Sequence, residues 1–242
     1  MKKRLIPFAA LLFSFFGTIA QPGNKAVDFY KQAEAFAAQN KFVEALDNYR
    51  KATEANPNYV EAYLAAAKTF TRVSMQADAI FCYRKALKIS PNSCEINIAV
   101  GNFYKEVRQK ADSAFIYYNK ALQLKCDTSK ELLFNVGWYY NDKKNYAASY
   151  APLKKALQID NNYKSAISEI SYSYRITEQY NEGIQYFREQ YNLSKFDLYL
   201  YYIGLFHLQQ KDKVKATGVY EELKALDSKL TTVLKKKIDA LP

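Results

Sequence analysis

Small and apolar residues recur along the chain at three- and four-residue steps, the spacing of one face of a helix. From Ala33 onward, a small residue is followed three places later by a ring. The pairs are Ala33 and Phe36, Ala67 and Phe70, Gly101 and Tyr104, Gly137 and Tyr140, and Ser171 and Tyr174. Gly204 begins a sixth, with His207 where the ring would stand. A second block follows each of these. Ala45, Tyr49 and Ala52 recur as Ala79, Tyr83 and Ala86, and again as Ala114, Tyr118 and Ala121. Weaker copies are Ser149 with Leu153 and Ala156, Gly183 with Phe187, and Ala216 with Tyr220. Pro57 and Pro91 follow the first two blocks and cannot continue a helix. The pattern predicts pairs of antiparallel helices. The small residues allow close approach and the rings fill the space beside them.

The first two blocks stand 34 residues apart at every matched position. This pattern resembles the tetratricopeptide repeat family, with its W-x2-L-G-x2-Y, A-x3-F and closing Pro at a period of 34. Six copies fit, at 26–59, 60–93, 94–129, 130–163, 164–196 and 197–230. The chain departs from the family pattern in places. The early aromatic is kept as Phe29 and Tyr63 but becomes Asn97 in the third copy, and the closing Pro survives only twice. The resemblance implies an all-α fold, a right-handed α-solenoid of about six helix-turn-helix repeats. A lone helix pair cannot bury its apolar face, so such stacks need capped ends. Leu230, Val233, Leu234, Ile238 and Leu241 recur at helical spacing, with Lys229 and Lys235 to Lys237 off that stripe. Residues 231–242 are therefore expected to form a capping helix.

At the N-terminus, Lys2, Lys3 and Arg4 precede an apolar run from Leu5 to Ala20. The run is shorter than the roughly 20 residues of a membrane span, and its anatomy is that of a secretory signal peptide cleaved after Ala20. Residues 21–25 are expected to be a short linker. An uncleaved anchor is the alternative. The expected location is outside the cytoplasm, periplasmic or secreted, with no membrane insertion after cleavage.

Composition narrows the chemistry. Gly and Pro together are 13 of 242 residues, too few for a turn-rich β fold, and no glycine-rich phosphate loop occurs. The net charge is +11, and losing the first twenty residues leaves 32 basic against 24 acidic groups. In an exported protein that balance favours acidic partner proteins, anionic glycans or lipid surfaces over nucleic acid, while Lys residues scattered along helices read first as a solvated surface. With one His and no H-E-x-x-H, G-x-S-x-G or C-x-x-C pattern, neither catalysis, a metal site nor a cofactor is expected. His207 reads as a packed imidazole. Cys82, Cys94 and Cys126 cannot all pair. Cys94 and Cys126 sit near successive inter-repeat turns, where the ~10 Å helix spacing exceeds the ~7 Å limit for a bridge unless the turns are offset; free thiols are the expectation and a Cys94–Cys126 bridge the alternative.

The resemblance implies that first helices line a concave groove that commonly holds partner peptides. Helical stepping on that face gives Leu64 and Lys68, Asn102 and Lys105, Phe134, Trp138 and Asn141, Tyr172 and Arg175, and Tyr201, with Tyr30 and Arg72 extending it. Phe134 and Trp138 lie beside, not within, the packed set of Leu133, Val136, Gly137 and Tyr140. Rings flanked by Lys, Asn and Arg have the composition of a binding hot spot. Lys68, Asn102, Asn135 and Lys105 give only a displaced, partial version of the carboxylate clamp of some family members. The expected function is a non-catalytic scaffold of the cell envelope that binds a protein segment. The alternative is a glycan- or cell-wall-binding module, with Phe134, Trp138, Tyr172 and Tyr201 stacked on sugar rings. Self-association through edge helices stays open.

Overall fold

The structure, a computed structural model, describes residues 22–107, 109–126 and 129–241. The segment expected to be a signal peptide lies outside these residues. Among the described residues there are thirteen α-helices and no strand. The chain divides between Ile89 and Ser90 into two compact units. The first holds α1 (Pro22–Ala38), α2 (Phe42–Ala55), α3 (Val60–Arg72) and α4 (Gln76–Ile89). The second holds α5 (Cys94–Glu106), α6 (Ala111–Gln123), α7 (Lys130–Asp142), α8 (Tyr146–Ile159) and α9 (Lys164–Ile176). It continues through α10 (Tyr180–Ser194), α11 (Asp197–Gln209), α12 (Lys213–Ala225) and α13 (Leu230–Asp239). The fold is an all-α solenoid of stacked helix pairs. Residues 22–25, expected as linker, are the first turn of α1.

The ring positions of the sequence pattern also end the first helix of each pair. Backbone N–H groups of Lys41, Met75, Lys110, Asn145, Gln179 and Asp212 donate to the carbonyls of Phe36, Phe70, Tyr104, Tyr140, Tyr174 and His207, at 2.8–3.0 Å. Five of these bonds span five residues and the one from Lys110 spans six, and each crosses a left-handed residue: Asn40, Ser74, Gln109, Lys144, Glu178 or Lys211. That is the Schellman stop, which satisfies a terminal carbonyl and reverses the chain. Side-chain caps start the helices that follow several turns. Ser93, Ser129, Asn145 and Asp212 accept from the N–H of Ile96, Leu132, Ala148 and Lys215.

The small positions perform the packing role their pattern implies. A Cβ on Gly137 would stand 2.5 Å from Leu153 Cγ, and one on Gly101 would collide with the Tyr118 ring. Two sites differ from expectation. Gly204 closes on Leu234 of α13 rather than on its own second helix α12. Gly183 faces Phe206 of α11, whose ring enters beside Tyr174 and Phe187; α9 and α10 accordingly lie further apart than the other pairs, while α10 packs closely on α11. In α13, Leu234 and Ile238 are buried against the core, whereas Val233, expected on the apolar stripe, is exposed.

Cys94 and Cys126 form a disulfide, with Cα atoms 5.8 Å apart, against the expectation of free thiols. Both residues do lie at successive inter-repeat turns, but those turns are not a full helix spacing apart. Cys94 opens α5 and Cys126 follows α6, and antiparallel pairing brings those two ends together. Cys82 is the remaining free cysteine and is buried. Asn97, which replaces the early aromatic of the third copy, is also buried; its amide donates to the carbonyls of Pro91 and Ser93.

Candidate partner-binding face

Four of the expected residues meet on the first helices of the second unit. Lys105 Nζ, half-buried on α5, donates to Asn135 Oδ1 on α7 at 2.7 Å. The same ammonium lies 5.2 Å from the Phe134 ring centroid and 4.7 Å from that of Trp138. Asn135 donates in turn to Asn102 Oδ1 at 3.1 Å, and Tyr118 Oη donates to the same oxygen at 2.8 Å. The amides thus fix the lysine between two rings. Among the described residues no carboxylate lies within ion-pair distance of Lys105. Burial pulls its pKa below the ordinary lysine value, opposed by the more distant Glu106 and Glu169. Phe134 packs edge-on against Tyr163 and joins the larger core of the unit; Trp138 joins neither that core nor the smaller one around Tyr118. Its flank faces a cleft of about 690 Å³ bordered by Lys105, Asp112, Asp142 and Lys143.

Asn141 does not belong to this face, contrary to expectation. It is buried, with its amide donating to the carbonyl and to Oε2 of Glu169 on α9, while its Oδ1 accepts from Ser173. Consecutive first helices pack against one another here, so one edge of α7 is covered by α9. Leu64 is likewise buried in the first unit, because α3 is flanked by both α2 and α4 and its covered stripe is wide. In that unit Tyr30 contacts Tyr49 and Tyr59, and Lys68 is exposed. Arg72 donates to Asn40 Oδ1 and lies over the Phe42 ring. Tyr172, Arg175 and Tyr201 gather elsewhere in the second unit, at a cleft between α9, α11 and α13.

Helical stepping left Asn135 off the face, and only the comparison with a carboxylate clamp named it beside Asn102 and Lys105, although it holds Lys105 in place. The signal was present in its adjacency to Phe134. Lys237 of α13 and Leu241 just after it were assigned only to the cap, yet both line the last cleft.

The Tetratricopeptide repeat family model matches residues 60–93 and 130–163, each enclosing one helix pair, α3 with α4 and α7 with α8. The chain is a tetratricopeptide repeat protein. Its fold is similar to that of a tetratricopeptide repeat protein from Parabacteroides merdae, with a TM-score of 0.64 at 17% identity over 89% of this chain and 86% of that one. PilF of Pseudomonas aeruginosa gives 0.63 at 20% identity, over 85% of this tetratricopeptide protein and 93% of PilF. YrrB, described as having an unusual peptide-binding site, gives 0.59 at 17% identity, over 72% and 89% of the two chains. At such identities the likeness establishes fold. No protein of curated function matches the sequence. Among the described residues, no helix of this tetratricopeptide protein is long and apolar enough to cross a membrane.

Proposed function

We propose that this protein is a non-catalytic scaffold of the cell envelope, which holds a segment of a partner protein on the first-helix face around Trp138. Lys105 carries the reading. A half-buried ammonium, fixed by an amide oxygen between two rings and without a bonded carboxylate, is an anchor that a partner's acidic or carbonyl group completes. Trp138 beside it offers a large ring that no core accounts for, the kind of residue that dominates interface energetics. The repeats that present this face run over 26–230, in the six segments read from the sequence.

Export is part of the same reading. The basic start and apolar run of residues 2–20 argue for a cleaved leader, and a disulfide across one repeat suits an oxidising compartment. Structural relatives include PilW, described as a type IV pilus biogenesis factor, which supports an envelope setting. The test is in-cell crosslinking of the tagged protein, with mass spectrometry, comparing wild type with the Phe134→Ala, Trp138→Ala double variant. Circular dichroism confirms that the variant keeps its helices. A protein captured by wild type and lost in the variant is the expected result; identical capture overturns the assignment of the face.

A further inference from the structure

The helix α11, Asp197–Gln209, is apolar on every side. Such a helix is normally enclosed on all faces. Tyr199, Leu200, Ile203 and Phe206 are buried in the core, but Tyr201 and Leu205 remain half-open. They form one wall of a cleft of about 610 Å³, closed by α9 on one side and by the end of α13 on the other. Tyr172 supplies a second ring, with the Arg175 guanidinium 5.5 Å from its centroid. Lys237 of α13 and Leu241 just after it face it from the opposite rim. The lining holds two cations and no Asp or Glu. Among the described residues neither cation has an ion-pair partner, and the nearest acid of α13, Asp239, is bonded to Lys235. An apolar wall left half-covered between two unneutralised cations is complementary to a large apolar side chain flanked by carboxylates.

We infer that this cleft is a second, anionic-segment pocket, which takes an Asp- or Glu-bearing stretch of a partner protein with a Leu or Phe beside the acid. The inference rests on the scaffold reading above and adds a chemistry to it. The terminal helix is then part of the binding surface as well as a lid on the last repeat. Arg175 offers a two-pronged donor suited to a carboxylate, and its stacking on Tyr172 pre-orients the guanidinium.

The test uses the full mature protein and a fluorescein-labelled peptide, Glu-Leu-Phe-Glu with both ends blocked, followed by fluorescence anisotropy. Its counterpart is Gln-Leu-Phe-Gln. The acidic peptide is expected to bind at least tenfold more tightly than its amide counterpart. Arg175→Gln with Lys237→Gln is expected to weaken it at least tenfold, and both substitutions are on exposed side chains that the fold does not need. The Phe134→Ala, Trp138→Ala variant is expected to bind it as wild type does, which separates this pocket from the first face. No binding, equal binding of the two peptides, or indifference to the double Gln variant overturns the inference. So does binding to vesicles containing anionic lipid that requires Arg175 and Lys237 while the peptide does not bind. In each of those cases the crosslinking result with the Phe134 and Trp138 variant still decides the scaffold reading by itself.

Discussion

Replacing both Cys94 and Cys126 by Ser is the perturbation whose size follows most directly from the structure. The bridge closes a loop of 32 residues that contains all of α5 and α6. Loss of chain entropy in the unfolded state on closing such a loop corresponds to about 3.7 kcal/mol at 25 °C, and measured bridges of this kind give roughly 2–4. Where that stability is felt depends on the architecture. In a stack of repeats each pair contacts only its neighbours, so openings are local. From α7 to α13 one continuous buried cluster ties the helices together, whereas α5 and α6 lean on the smaller core around Ala114, Tyr118, Leu132 and Val136. Hydrogen exchange followed peptide by peptide is therefore the assay. Protection in α5 and α6 is expected to fall at least about 30-fold, the equivalent of about 2 kcal/mol, with α9 to α13 changed by no more than a few-fold. Equal protection in the double Ser variant and the oxidised protein would refute the reasoning. Thiol titration supplies an independent check. The native protein is expected to react slowly, since burial pushes the Cys82 thiol up to about 11. Denatured without reductant it should show one thiol of the three cysteines, and all three after reduction.

Two glycines are expected to respond with opposite signs. Gly137→Ala gains about 1 kcal/mol of helix propensity but places its Cβ 2.5 Å from Leu153 Cγ, a fully buried side chain, at an overpacking cost of about 1–3 kcal/mol. Gly218→Ala meets nothing within 4 Å and should keep its whole gain, up to about 1 kcal/mol; thermal midpoints moving the same way in both would contradict the packing. Pro152 lies inside α8, where it removes a ladder donor, and Pro152→Ala is expected to stabilise by up to about 3 kcal/mol, read as a higher urea midpoint. His207 has a buried Nδ1 without a partner, and burial lowers its pKa from the ordinary 6.5, with Gln210 and Asp212 opposing and Lys215 and Arg188 assisting. The unfolded chain therefore binds this proton first as pH falls, and stability declines below 6.5. His207→Phe should abolish that decline, so the gap between the two melting temperatures should widen from neutral pH downward; a constant gap would remove the argument.

The helical pairing was legible because it is geometric and repeats. Gly101 against Tyr118 and Gly137 against Leu153 are the same contact in successive pairs, so the spacing betrays it. The sequence pattern named Phe36, Phe70 and Tyr104 only as packing rings, although their carbonyls also receive the bonds that stop each first helix. Backbone acceptors leave no trace in residue type. Leu64 and Asn141 were misplaced because helical stepping treats a helix as having one covered side. In a stack, α3 and α7 are covered from two. The disulfide was missed for a related reason. Counting from Cys94 to Cys126 gave nearly one repeat length, which resembles translation along the stack. The intervening reversal at Gln109 instead returns the chain to its starting edge.

A contact required by every repeat acquires a period, and a binding function exercised once cannot. Function in such a fold is therefore to be sought where the period breaks, provided that no packing reason explains the break. Asn97 breaks it, and its two bonds to the turn at Pro91 and Ser93 explain why. Phe206 entering between α9 and α10 breaks it too, and its contact with Gly183 accounts for that. Trp138 and the open side of α11 have no such account. The indole belongs to neither core around it, and Tyr201 and Leu205 border a cleft whose cations have no ion-pair partner among the described residues. A fold that satisfies its carbonyls, amides and small-residue contacts so regularly gains nothing from apolar surface left beside uncompensated charge. That surface is best explained by what it binds, and the two sites lie on first helices of one unit, α7 for one and α9 with α11 for the other.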